Sequence, residues 1–130
     1  MTHPKPPSSD TTRKLITFLY YKDLPRAVRF YEDVVGLTLE IDQGWSKIYR
    51  VTTDGYIGLV DETRGSLRAN PAKPVQICLR VDDVDAWFAH AEGAGVDKLT
   101  KPRSHDGLKI RLFTFEDPEG YQIEIQTPLA

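Results

Sequence analysis

Cysteine is the scarcest chemistry here: Cys78 is the only one in 130 residues. A lone thiol forms no internal disulfide and anchors no zinc site by itself, which fits a reducing, cytoplasmic setting. Long apolar runs are missing too. Nothing approaches the roughly twenty residues that cross a bilayer, and the start, MTHPKPPSSDTTRK, lacks the apolar stretch of a signal peptide. Excess charge of one sign is also absent. The formal net charge of -2 argues against an electrostatic grip on nucleic acid or an anionic membrane. What is present, 28% charged and 40% hydrophobic residues, suits one globular domain with a real core.

Residues 1–13, rich in Pro, Ser and Thr, read as a disordered tail. From Leu15, LITFLYY reads as a strand. Leu24, Ala27, Val28, Tyr31, Val34 and Val35 then recur at helical spacing, with Asp23 placed to cap, Pro25 in the first turn and Gly36 at the end. Strands follow at LTLEI, SKIYRVT and YIGLVD. The stretch 62–73, with Gly65, Pro71 and several charges, reads as a linker.

The grammar then repeats. VQICLRV reads as a strand, Asp82-Asp83 can cap a second helix through Val84, Trp87, Phe88 and Ala91, and Gly93-Ala94-Gly95 ends it. A polar loop around Pro102 to Gly107 leads to a strand near KIRLFTF, a DPEG turn and the closing strand YQIEIQ. Ile16 overlays Gln76, Asp23 overlays Asp83, and YIGLVD overlays YQIEIQ. A repeat of about 60 residues predicts an α+β fold of two βαβββ modules, 14–61 and 74–127, related by a pseudo-twofold, with a curved mixed sheet around a cup and helices on the outer faces.

Three stretches carry a resemblance: the joint YYKDLPRAVRFYEDVVGL, the joint VDDVDAWFAHAEGAGV and the closing DPEGYQIEI. Over Lys14 to Thr127 the chain resembles the vicinal oxygen chelate superfamily, the glyoxalase, bleomycin-resistance and extradiol-dioxygenase group. In its metal-dependent members, the resemblance implies, four inward side chains hold one divalent ion, and here those positions are Ile16, Gly58, Gln76 and Glu124. An isoleucine and a glycine offer no donor, so no metal ligand and no cofactor is assigned.

Alternation puts Ile16, Phe18 and Tyr20 on the cup face, with Gln76, Cys78 and Arg80, and with Gln122, Glu124 and Gln126. Trp45, Tyr49, Arg111 and Phe113 are candidate additions. The expected ligand-binding set is therefore Phe18, Tyr20, Trp45, Tyr49, Gln76, Arg80, Arg111 and Phe113, an aromatic wall with a few polar groups. The aromatic residues serve equally well as core filling. Glu124 is the candidate catalytic base or the anchor for a cationic ligand, or else a structural carboxylate paired with Arg80 or Arg111. Cys78 has no identifiable base beside it and reads as an inert thiol, and His105 reads as a surface histidine.

Two classes of function stay open. One is a metal-free protein that binds a small aromatic molecule; the other is a lyase, isomerase or dioxygenase using Glu124 as base or as ligand of an incomplete metal site. The resemblance implies a homodimer, either side by side or with exchanged modules. No nucleic acid or membrane partner is expected.

Overall fold

The computed structural model describes residues 4–130. His3 and the first residues of the expected tail lie outside that range. From Pro4 the chain is exposed and irregular, apart from a 3-10 turn at Ser9–Thr11 whose Asp10 amide donates to the Ser8 side chain.

Module one contains β1 (Leu15–Tyr21), α1 (Leu24–Arg29), β2 (Thr38–Asp42), β3 (Ser46–Arg50) and β4 (Gly55–Asp61). Its sheet has the order β1-β4-β3-β2, with β1 and β4 parallel and the other pairs antiparallel. Module two repeats this with β5 (Gln76–Arg80), α2 (Val84–Ala94), β6 (Arg103–His105), β7 (Ile110–Glu116) and β8 (Gln122–Pro128), in the order β5-β8-β7-β6. The expected polar loop at 102–107 thus contains a short edge strand. Among the described residues no helix is long and apolar enough to cross a membrane.

Both helix starts follow from capping chemistry. Asp23 Oδ1 accepts from the Arg26 amide at 3.1 Å, and Asp83 Oδ1 accepts from the Ala86 amide at 3.1 Å. Gly95 closes α2 in the left-handed conformation at φ +67°. The first helix widens into a π turn at Phe30–Val34 before Gly36, at φ +80°, releases the chain. That turn carries Tyr31 into the core.

The core is one cluster shared by both modules. Leu19, Tyr21, Leu59 and Tyr31 of module one are buried in it with Phe113, Phe115, Ile123 and Ile125 of module two. Phe30 lies 6.3 Å from Phe115, centroid to centroid, and the ring nitrogen Nε2 of His90 is 2.7 Å from the Val34 carbonyl. The helix-bearing sides of the two sheets therefore meet within the chain. This corrects the expectation of helices on the outer faces, and it turns the opposite, cup-side faces of the two sheets away from each other.

Asp117 locks that arrangement. Its buried carboxylate accepts from the Tyr21 hydroxyl at 2.6 Å, the Tyr31 hydroxyl at 2.8 Å, and the amides of Glu119 and Tyr121 at 2.9 and 3.0 Å. Burial beside this carboxylate drives both phenols well above their ordinary pKa, so they remain donors. Glu119, two residues on, accepts from the Lys22 and Asp23 amides at 2.8 Å each. The DPEG turn of module two thus grips the strand-to-helix joint of module one.

Candidate functional site

Register in the first sheet puts Ile16, Phe18 and Tyr20 of β1 beside Tyr56, Gly58 and Val60 of β4, and these beside Arg50, Ile48 and Ser46 of β3. The cup-side face of module one is mostly apolar. Gly58 has a specific use in it: a Cβ there would stand 2.4 Å from the Phe18 ring, so the missing side chain lets the ring lie flat on the sheet. Phe18, Tyr20, Trp45 and Val60 line a pocket of about 510 Å³ on this face. Phe18 and Trp45, 45% and 39% exposed, are two large rings left open on the lining of one pocket.

The pocket has a wall that the sequence does not announce. The stretch read as a linker folds back over the end of the sheet, and Arg64, Gly65 and Ser66 join the lining. A Cβ on Gly65 would come within 2.6 Å of Val60 Cγ1 and 2.7 Å of Tyr20 Cε2, so only glycine lets the loop backbone approach so closely. Ser66 Oγ lies 3.3 Å from the Tyr20 hydroxyl. Gly65 amid charged residues is the only signal that could have marked this wall.

Module two carries a different lining on its own cup-side face. The Gln76 amide donates to Gln122 at 2.5 Å. Arg80 Nε donates to Gln126 Oε1 at 2.8 Å, and Gln126 Nε2 donates to Glu124 at 2.6 Å. Glu124 is therefore paired with neither Arg80 nor Arg111; it ends an Arg80–Gln126–Glu124 chain. Cys78 Sγ lies 3.6 Å from Glu124 Oε2, and partial burial together with the nearby carboxylate pushes its pKa up. That disfavours the thiolate, and with it nucleophilic chemistry.

Three candidates leave the cup. Tyr49 pairs with Ile57 and Phe113 with Ile125, both on the helix side, and both rings are fully buried. The Tyr49 hydroxyl donates to Glu32 at 2.6 Å, while Phe113 packs edge-on against Phe88 at 5.5 Å. Arg111 shares the face of Phe113 and donates to Asp85 of α2 at 2.9 Å. The physical reason is strand parity: a register read one residue out moves every side chain to the other face.

The remaining candidates fall into two groups, Phe18, Tyr20 and Trp45 on one sheet and Gln76, Arg80 and Glu124 on the other. The four positions that the resemblance assigns to a metal divide in the same way. Ile16 and Gly58 bring no donor, and Phe18 covers Gly58; Gln76 and Glu124 bring an amide and a carboxylate already hydrogen-bonded to their neighbours. This donor set does not fit a catalytic divalent ion. His105 lies on the edge strand, its Nδ1 accepting from the Leu108 amide at 3.1 Å.

A family model for the Glyoxalase/Bleomycin resistance protein/Dioxygenase superfamily matches residues 14–125. The chain belongs to that superfamily. Among the curated relatives of this glyoxalase-type chain is the probable lactoylglutathione lyase of Vibrio parahaemolyticus, 28% identical over 124 residues, covering 87% of this chain and 88% of the relative. Among solved structures, lactoylglutathione lyase from Agrobacterium tumefaciens superposes with a TM-score of 0.71 at 25% identity, covering 95% of this chain and 96% of the other. The bleomycin resistance determinant encoded on transposon Tn5 superposes with a TM-score of 0.70 at 17% identity, covering 88% and 97%, a likeness of fold alone.

Proposed function

We propose that this superfamily member binds a small planar aromatic molecule without a metal ion, in a cup completed by a second copy of the chain. The observation that carries the reading is the aromatic pocket of Phe18, Tyr20 and Trp45, standing open on a face whose polar counterpart in the same chain points elsewhere. Stacking on such rings, in a concave site with few polar groups, is how small aromatic ligands are held. A homodimer that sets module one of each copy against module two of its partner brings Gln76, Arg80 and Glu124 opposite the rings twice, by symmetry. It also covers the exposed apolar side chains of Phe18, Ile41 and Trp45. A lone thiol suits the cytoplasm, where it stays reduced.

The test is light scattering combined with ligand titration. A dimer is expected at micromolar concentration, its dissociation constant lowered by an aromatic ligand because the cup exists only in the pair. Chelators should leave the melting temperature unchanged. A monomer that binds the ligand with full affinity would sink the shared cup, and a stoichiometric divalent ion at Glu124 would sink the metal-free reading.

The likeness to the Vibrio lyase favours one second reading: an enzyme of the lyase type with Glu124 as its base. Glu124 is a carboxylate at the centre of the polar strand, oriented by the Gln126 amide. Turnover of a small carbonyl compound that Glu124→Gln abolishes would establish it.

A further inference from the structure

Among the described residues, module one's part of the aromatic pocket holds a single charged side chain, and that side chain is a cation. Arg64 lines the space beside Phe18, Tyr20 and Trp45, and no carboxylate of the same module does; the second copy that completes the cup brings Arg80 and Glu124, one charge of each sign, which leaves Arg64 as the net charge of the site. Within its loop that charge acts only on Asp61, where it is the last of the influences that hold the carboxyl below its ordinary pKa, behind the hydrogen bonds from the Thr63 hydroxyl and amide. Arg68 already ties the loop together, donating to the carbonyls of Glu62, Gly65 and Leu67 at 2.8, 3.0 and 2.9 Å. The nearby acids have other partners: Asp61 accepts from the Thr63 amide and hydroxyl at 2.9 and 2.7 Å, and Glu62 accepts from the Ala69 amide at 3.2 Å. Among the described residues, the Arg64 guanidinium makes no ion pair and no hydrogen bond, although the close approach of Gly65 to Tyr20 and Val60 fixes its backbone against the aromatic wall.

We infer that the pocket selects an aromatic anion, a flat ring system carrying a carboxylate that Arg64 pairs with, and that Arg64 is the residue that sets this charge preference. The guanidinium fork matches a carboxylate with two parallel hydrogen bonds, and the aromatic floor keeps water from one side of the pair. A cationic ring system meets the same arginine with repulsion. The inference rests on the binding reading above and adds the charge of the ligand to it.

Calorimetric titration with three matched probes tests it: 2-naphthoate, neutral 2-naphthamide and cationic 2-naphthylmethylammonium. The wild-type dimer should bind naphthoate about tenfold more tightly than naphthamide, and the cation most weakly, with the spread narrowing as salt is added. In Arg64→Gln the naphthoate and naphthamide affinities should converge. Equal affinity for all three probes, or a naphthoate preference that survives Arg64→Gln, would overturn the charge inference and leave the pocket standing. Failure of the wild type to bind any probe, or a Trp45→Ala variant that binds naphthamide as the wild type does, would overturn the pocket reading and the charge inference with it.

Discussion

The two modules share a backbone plan and use it differently. On the cup side, Phe18, Gly58 and Tyr20 of module one occupy the places that Cys78, Glu124 and Arg80 hold in module two, with Phe18 paired to Gly58 as Cys78 is paired to Glu124. One face is a ring-lined pocket and the other a ladder of amides and charges. The turns that lead into β4 and β8 diverge as well. In module one, Thr52 Oγ1 accepts from the Gly55 amide at 3.0 Å and does little else. In module two, Asp117 at the matching bend accepts four hydrogen bonds and ties the modules together. The repeated plan provides the scaffold; the ring-lined pocket and the structural lock lie in different modules.

The largest effect should come from removing the lock. Asp117→Ala leaves two buried phenols and two amides without their acceptor, and urea unfolding should show a loss of about 3–5 kcal/mol. Thr52→Ala, in the corresponding turn of module one, should cost about 1 kcal/mol or less. Similar losses for the two variants would break the comparison.

Next comes the wall of the pocket. Gly65→Ala drives a methyl group into Val60 and Tyr20, so melting should report a loss of about 1–2 kcal/mol, and aromatic ligands should bind about tenfold more weakly. Retained affinity would show that the loop takes no part in binding.

A smaller change in stability is expected on the polar face. Glu124→Gln keeps the volume and can still accept from Gln126, so the variant should lie within about 1 kcal/mol of the wild type. A fall of several kcal/mol in denaturant titration would instead make Glu124 a structural carboxylate.

The finest test follows the thiol. Burial and the Glu124 charge both hold Cys78 in its protonated form, so iodoacetamide should modify it more slowly at pH 8 than it modifies a free thiol. Because the shift is upward, the rate should climb at a pH above the ordinary thiol range. In Glu124→Gln that climb should move down, since one of its two causes is gone; an unmoved profile would leave burial as the whole cause.

Much of this was legible in the chain itself. Capping residues Asp23 and Asp83, the helical stripes behind them and the DPEG turn are local signals, each decided by a few neighbouring residues and by backbone chemistry that does not depend on the rest of the fold. The repeat followed from them, and so did the parity of β1, β5 and β8, where alternation runs unbroken. Parity failed on β3 and β7, where Tyr49, Phe113 and Arg111 look alike from either side of the sheet and only the partner strand settles the face.

By itself, then, the sequence determined two βαβββ modules, an aromatic strand in the first and a polar strand in the second; that Ile16 and Gly58 bring no donor to a metal site is what the resemblance implied for those positions. Only the tertiary structure decided how those modules face. Three of its features lie beyond local reading: the shared core on the helix side, the Asp117 lock, and the folding of 64–66 over Tyr20. Each depends on contacts between residues far apart in the chain, whose geometry is fixed by packing and by the need to satisfy buried polar groups rather than by periodicity or propensity.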